Sequence, residues 1–388
     1  MKLHGLRVVD FSMFLPGPHL TMMLADHGAD VIRIEPPGEG EPVRHIGLRQ
    51  GGQSIWFRNT HRGKRSVVVD LKDTAQRSAL VALIDDADVL LEAFRPGVMA
   101  RLGLDYDTLS ARNPGLVYAS IAAFGQTGPL RDKPAHDLAI EAMAGTLSLN
   151  LGVDAAPVNP AMPCADLAAS LMALSGILMA LLRRANTGQG DYLDLSMQDA
   201  LMAWMPNIMG PLFAEQRAPV IQHERSWGGN AFYRSYRTGD GQHVTLGGSE
   251  LKFVRNLLYA LTGPEQAAEL AALCSAGPGP QQQPVVDFLS AQFACRSLLE
   301  CEALLAALDV CWAPVLDLAQ AWAHPQIAAR EMLLRDDADR LHLGVPIKFR
   351  HEPARPNLQV PELDSGQLQW QSSLSIDRSK GKLGGDPG

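Results

Sequence analysis

Three short stretches of the sequence hold side chains that can do chemistry together. "KPAHDLAIEAMAG" (133–145) delivers His136 and Asp137 side by side at the start of a helical run. A carboxylate in a first helical turn is favoured by the helix dipole, and the same positive end favours a neutral imidazole able to accept a proton. A polar helix start without chemistry is the other reading of the pair. "MPCADLAAS" (162–170) sets Asp166 at the beginning of a long apolar helix among Ala165, Ala168 and Ala169. There it serves as a cap, or, because apolar surroundings raise a carboxyl pKa, as an acid, base or nucleophile. "EAFRPGVMARLGLDYDTL" (92–109) places Arg95 on a proline-glycine turn just past a predicted strand, with Arg101 six residues later. Ligands of open α/β sheets gather at the carboxyl ends of strands, and arginines there suit phosphates; two solvated surface arginines are the alternative. "GGSELKF" puts Glu250 where a strand gives way to a helix, which reads first as an ordinary helix-start acid.

These residues need elements to hold them. "LRVVDF" (6–11) predicts a strand, "LPGP" a loop, "HLTMMLADHGAD" a helix and "VIRIEPP" a second strand. The rhythm continues with strands in "RSVVVDLK" (65–72), "DVLLEAF" (88–94) and "LVYASIAAF" (116–124), and a helix in "DTAQRSALVALIDDA" capped by Asp73 or Thr74. Alternating β and α segments with continuous apolar strands predict a parallel sheet covered on both faces. "GVDAAPVNPAMP" is a loop by its prolines. "CADLAASLMALSGILMALLRRANTGQG" is a long helix stopped by Gly188 and Gly190, and its near-uniform apolarity predicts burial on most sides. After a polar connector, "AFYRSYRTGDGQHVTLGG" reads as a β-hairpin and marks a second, α+β domain, while "QQQP" (281–284) reads as a surface loop. A polar, glycine-rich tail closes the chain.

Composition narrows the function classes. Of 388 residues, 46% are hydrophobic and 20% charged, an ordinary globular mix that argues against disorder or a fibrous repeat. The net charge of −8, without a basic block interleaved with aromatics, argues against nucleic acid or an anionic membrane surface as partner. Five cysteines without CxxC or His-rich spacing predict buried thiols, a reducing compartment and no structural metal. "MKLHGLRVVDFSMF" reads as a first strand rather than a cleaved leader, no apolar run of about 18 residues appears, and cytoplasm is the default location. Neither a G-x-G-x-x-G nor a GK[ST] loop is present, which argues against a dinucleotide dehydrogenase or a P-loop kinase.

The ordered set "GLRVVDFS", "LADHGADVIRIEPP", "GKRSVVVDLK", "DVLLEAFRPGVMARLGLD", "FGQTGP", "HD" at 136, "GILMALLRRANTGQGDYLDLSM", "GGNAFYRSYRTGDG" and "APVLDLAQAWAHPQIAAREM" resembles, over nearly the whole chain, the family III CoA-transferase superfamily, which includes α-methylacyl-CoA racemase. The resemblance implies an α/β protein. A Rossmann-like large domain with a parallel sheet (1–200) would lead through a connector (201–224) to a smaller α+β domain (225–325). A C-terminal return (326–388) would rejoin the large domain, and two chains would thread through one another as an interlocked homodimer.

It implies an acyl-CoA substrate and no resident metal or redox cofactor, with Arg95, Arg101 and Lys72 on the CoA side. In transferases of this type the aspartate matching Asp166 is a nucleophile that carries CoA as a thioester. In the racemase, residues matching His136 and Asp166 are two bases flanking the α-carbon, with Asp137 and Glu250 in support. That chemistry also needs N–H donors for an enolate, which the helix start around Asp166 would provide. His136 before Asp137, together with Glu250, tilts the expectation toward proton transfer at the α-carbon of a 2-methylacyl-CoA, with CoA transfer as the alternative. Two departures from the racemase pattern are "LAAS" after Asp166, in place of a glycine-rich run, and Pro36, in place of an arginine.

Overall fold

The β-branched runs of the first 200 residues become strands. In the computed structural model, which describes residues 1–152 and 154–371, these are β1 (Arg7–Asp10), β2 (Asp30–Glu35), β3 (Arg65–Val68), β4 (Val89–Glu92), β5 (Val117–Ala122) and β6 (Asp191–Ser196). They form one six-stranded sheet in the order β3-β2-β1-β4-β5-β6, with every pairing parallel. Strands β2, β4 and β5 are buried along their whole length. The reason is that both faces are covered, which removes the alternation a half-exposed strand would show. One face packs Val8, Val89, Val117 and Ile121 against Leu20, Leu24, Ala168 and Ile177, and the other packs Val9, Ile32, Leu90 and Tyr118 against Leu80, Ile84, Met99 and Leu109.

Four helices pack against this sheet. Helix α1 (Pro16–Asp26) starts three residues before the predicted segment. Pro16 is tolerated at the first helical position because its missing N–H would have had no partner there. Gly17 is required by close approach, since a Cβ there would lie 2.0 Å from Ser12 Oγ. Helix α2 (Thr74–Ile84) is capped by Asp73, whose carboxylate accepts from the N–H groups of Ala75 and Gln76. Helix α3 (Asp137–Ala144) ends at Gly145, and the 24-residue α4 (Cys164–Thr187) ends at Gly188; both glycines are left-handed.

Helix α4 corrects one expectation. It buries Ala165, Ala168, Ala169, Ala173, Ile177 and Ala180, while Met179 is 69% and Leu182 72% exposed. The helix lies along the sheet and is covered on one side only, so its apolarity does not mean burial all round. It is long and apolar enough to cross a membrane by length and composition, but its alanine face is packed in the core.

The chain divides into two compact units, Met1–Trp204 with the segment beginning at Pro325, and Met205–His324. The C-terminal segment of the first unit forms a hairpin of Leu333–Arg335 and Leu341–Leu343. It then runs beside β3, where Gly366 N donates to Ser66 O (2.7 Å) and Asp364 Oδ1 accepts from Val68 N (2.9 Å). The predicted tail from residue 372 onward lies outside the described residues.

In the second unit Tyr233–Arg237 and His243–Gly247 form the predicted hairpin, and Trp312–Pro314 adds a third antiparallel strand. Helices at Leu251–Leu261, Pro264–Ser275, Gln283–Ala294 and Leu298–Ala306 supply the rest of a core that includes Phe232, Tyr236, Leu257 and Phe293. Segment 281–284 lies at the surface, with Gln281, Gln283 and Pro284 exposed, but it is a helix start rather than a loop, and Gln282 is fully buried with its Oε1 accepting from Ala231 N at 2.8 Å. Nor are the thiols generally buried. All five cysteines are free, Cys301 is buried, Cys164 and Cys274 are half-buried, and Cys295 and Cys311 are exposed.

Candidate active site

The strand order reverses between β1 and β4, so the loops leaving these neighbours go to opposite faces and open a crevice at their carboxyl ends. A cavity of about 1020 Å³ occupies that position. Met13, Phe14 and Pro16 line it from the turn after β1, Ala93 to Pro96 from the turn after β4, and Ile121 to Ala123 from the end of β5. Segment 133–139 brings His136, and the first turn of α4 brings Asp166.

The first turn of α4 has an unusual start. A helix begins with N–H groups that have no partner within it, and the residue before this one is Pro163, which offers no side-chain cap. The carboxylates of α3 fill the gap. Asp137 Oδ1 accepts from Ala165 N (2.8 Å) and Asp166 N (3.0 Å), and Glu141 Oε1 accepts from Cys164 N (3.1 Å). Asp166 is therefore no cap; it stands in the first turn with its own N–H already engaged. Burial, then the charges of Asp137 and Glu141, push its carboxyl up to about 7. Buried Glu141 is itself raised, first by burial and then by Asp137. The sequence reading missed Glu141. The signal was its spacing, since four residues from Asp137 is one turn along the same face.

His136 occupies the N-cap position of α3 and makes no side-chain cap bond. Its ring meets Phe14 edge-on, with centroids 5.5 Å apart. Phe14 has φ +65°, a left-handed conformation that costs a bulky residue strain and persists only where the surroundings impose it. Glu41 imposes it here: Oε1 accepts from Phe14 N (2.9 Å), while Oε2 pairs with Arg33 in a fully buried ion pair. Arg33 also lies 3.5 Å from Asp10, which takes Lys64 at 3.2 Å and the Thr21 hydroxyl at 2.6 Å. Burial opposes ionisation of Asp10, but Lys64 and Arg33 hold its carboxyl below the usual range. Burial in turn pulls Lys64 down to about 8.

Arg95, Arg131 and Lys133 bring positive charge to the cavity lining. Gly97, at φ +81°, makes the left-handed turn here, and the guanidiniums of Arg101 and Arg131 lie beside it. No motif announced Arg131, and Lys133 heads the 133–145 stretch without having been singled out. Arg101 closes the short helix Val98–Arg101 and is not part of the lining. Lys72 is exposed in the turn after β3, also away from the lining. Glu250 belongs to the second unit, where it is exposed at the N-cap position of Leu251–Leu261. Among the described residues no cluster of His, Cys, Asp and Glu has the arrangement of a metal site.

Residues 3–367 match the family described as CoA-transferase family III. The chain belongs to this family. As a family III CoA-transferase sequence, it is 35% identical to an acetyl-CoA:oxalate CoA-transferase of Acetobacter aceti, over 97% of this chain and 96% of that one. It is 33% identical to the human α-methylacyl-CoA racemase over 84% of this chain and 80% of that one. The solved structure of a CaiB/BaiF family protein from Brucella suis superposes with a TM-score of 0.79 at 29% identity, covering 93% of this chain and 96% of that one. Proteins with both expected chemistries are thus similar to this chain, and the match to the transferase is the longer.

Proposed function

We propose that this family III CoA-transferase moves CoA between carboxylic acids through Asp166. The observation that carries the reading is the state of α4's first turn. Asp166 is a carboxyl of raised basicity at the switch-point cavity, while the neighbouring backbone N–H groups are held by Asp137 and Glu141. An enolate needs free donors at its oxygen, and the donors expected from this helix start are already engaged. The tetrahedral intermediate of transfer needs a donor at its oxygen as well, for which His136 lines the cavity; beyond that a nucleophile needs the carboxylate and a substrate aligned on it.

In the proposed sequence the Asp166 carboxylate adds to the thioester carbonyl, and the CoA thiolate leaves, giving a mixed anhydride. The thiolate then attacks the Asp166 carbonyl of that anhydride, releasing the first carboxylic acid as its anion and leaving CoA on Asp166. An incoming carboxylate reverses the two steps. Arg95, Arg131 and Lys133 are assigned to the anionic part of CoA, and His136 to the acyl thioester oxygen. Asp137 and Glu141 position Asp166. Relatives named as transferases support the reading. We also place the enzyme in the cytoplasm, acting as an interlocked homodimer, with the open apolar face of α4 covered by the second copy.

The test uses a branched acyl-CoA and an added carboxylate in deuterated water. Transfer of CoA without α-deuterium, together with a CoA adduct on Asp166 by peptide mass spectrometry, is the expected result. Wash-in of α-deuterium without transfer would return the assignment to proton exchange.

A further inference from the structure

Side chains alternate across a strand, so the carboxyl ends of β4 and β5 present different residues to the two faces of the sheet. Ala93 and Ile121 open on the large cavity. Glu92 and Tyr118 face the other way and line a second cavity of about 370 Å³. Arg95 and Arg131 border both.

Buried Glu92 joins the turns that carry these two arginines. Its Oε2 accepts from Phe94 N at 2.8 Å, fixing the turn of Arg95. Its Oε1 is hydrogen-bonded by the Ser120 hydroxyl. That hydroxyl accepts from Gln126 Nε2 at 2.8 Å, at the start of the loop leading to Arg131. Asp194 on β6 fixes the same loop by accepting from Gln126 N at 3.0 Å.

We propose that Glu92 is the positioning residue for Arg95 and Arg131. As a neutral acid it ties their turns together and leaves both guanidiniums to the anionic part of a CoA thioester; as a carboxylate it competes with that ligand for them. The inference rests on the CoA reading of the large cavity.

The surroundings favour the neutral acid near neutrality. Burial pushes Glu92 up to about 7, against the hydrogen bonds from Ser120 and Phe94. On β5 and β6 the Tyr118 and Tyr192 phenols are raised by burial, so both stay neutral. Asp105, at the N-cap of helix Tyr106–Ser110, and Asp107, in its first turn, border the same cavity. The positive charges bordering it are Arg95 and Arg131. When Glu92 ionises, those guanidiniums are its available partners, and a bound CoA must take them back. Binding of CoA then raises the proton affinity of Glu92 and draws a proton from solvent.

The experiment is calorimetric titration with S-ethyl-CoA, an unreactive thioether, from about pH 7 to about pH 8.5 in buffers of different ionisation enthalpy. Asp166→Asn is the background, so that Asp166 adds no proton signal. The expected result is proton uptake on binding and an affinity that falls by roughly three- to tenfold across this range, with both effects lost in Asp166→Asn/Glu92→Gln. Equal uptake and equal pH dependence in the two proteins would overturn the inference while leaving the CoA reading intact. If the double variant does not fold, absence of uptake in Asp166→Asn alone overturns it. No binding of S-ethyl-CoA at any pH removes the CoA reading itself, and the inference with it.

Discussion

At the scale of single residues, Asp166 and its two supporting carboxylates make the sharpest claims. Transfer needs the ionised form, so kcat/KM should rise with pH through about 7, with one proton lost. Asp137→Asn keeps an oxygen for the Ala165 and Asp166 N–H groups but removes a charge that raises Asp166. Its acidic limb should move to lower pH with little loss of stability. Asp137→Ala removes the acceptor as well and should cost about 1 kcal/mol in denaturant unfolding, as the loss of a helix cap does. If the two substitutions have the same stability, the capping account fails. The types and neighbours of Asp166 and His136 were legible because each stands at a helix start with a recognisable punctuation. The reach of Asp137 across to α4 was not, since the N–H it accepts lies 28 positions further along the chain.

At the scale of elements, α4 shows the limit of reading burial from composition. Its stop at Gly188 and its small-residue side were plain in the sequence. That one side packs on the sheet and the other stays open depends on which layers this chain supplies. The exposed stripe including Leu178, Met179 and Leu182 is the surface assigned to a second copy. Met179→Glu with Leu182→Glu should leave the far-ultraviolet circular dichroism unchanged and shift sedimentation toward the monomer; a sedimentation coefficient unchanged from wild type would remove that assignment. Helix α1 makes a second claim. Gly17→Ala places a methyl 2.0 Å from Ser12 Oγ, so it should destabilise the protein by roughly 1–3 kcal/mol, the range for overpacked cores, and displace the turn that carries Phe14.

At the scale of the whole molecule, the buried carboxyls pull stability in opposite directions with pH. Asp166 and Glu92 hold protons up to about 7 that the unfolded chain releases in the ordinary carboxyl range, so their contribution declines as pH rises through that window. Asp10 and Glu35 are shifted the other way: burial opposes their ionisation, but their cationic and hydrogen-bonding partners hold them below the ordinary range. Their contribution is present above that range and is lost as the medium becomes strongly acid. Thermal unfolding should therefore show its highest midpoint in mild acid. Glu92→Gln should raise the midpoint by about 2–4 °C near pH 8 and change it little near pH 5. The sequence by itself determined the α/β rhythm, the turn that presents Arg95 and the two helix starts that present His136 and Asp166, because these follow from local periodicity and punctuation. Only the tertiary structure decided that the strand order reverses beside β1, that Arg131 and Lys133 join the cavity, and that the donors expected for an enolate are occupied. Those facts depend on which distant segments become neighbours, and on which polar groups then satisfy one another out of water.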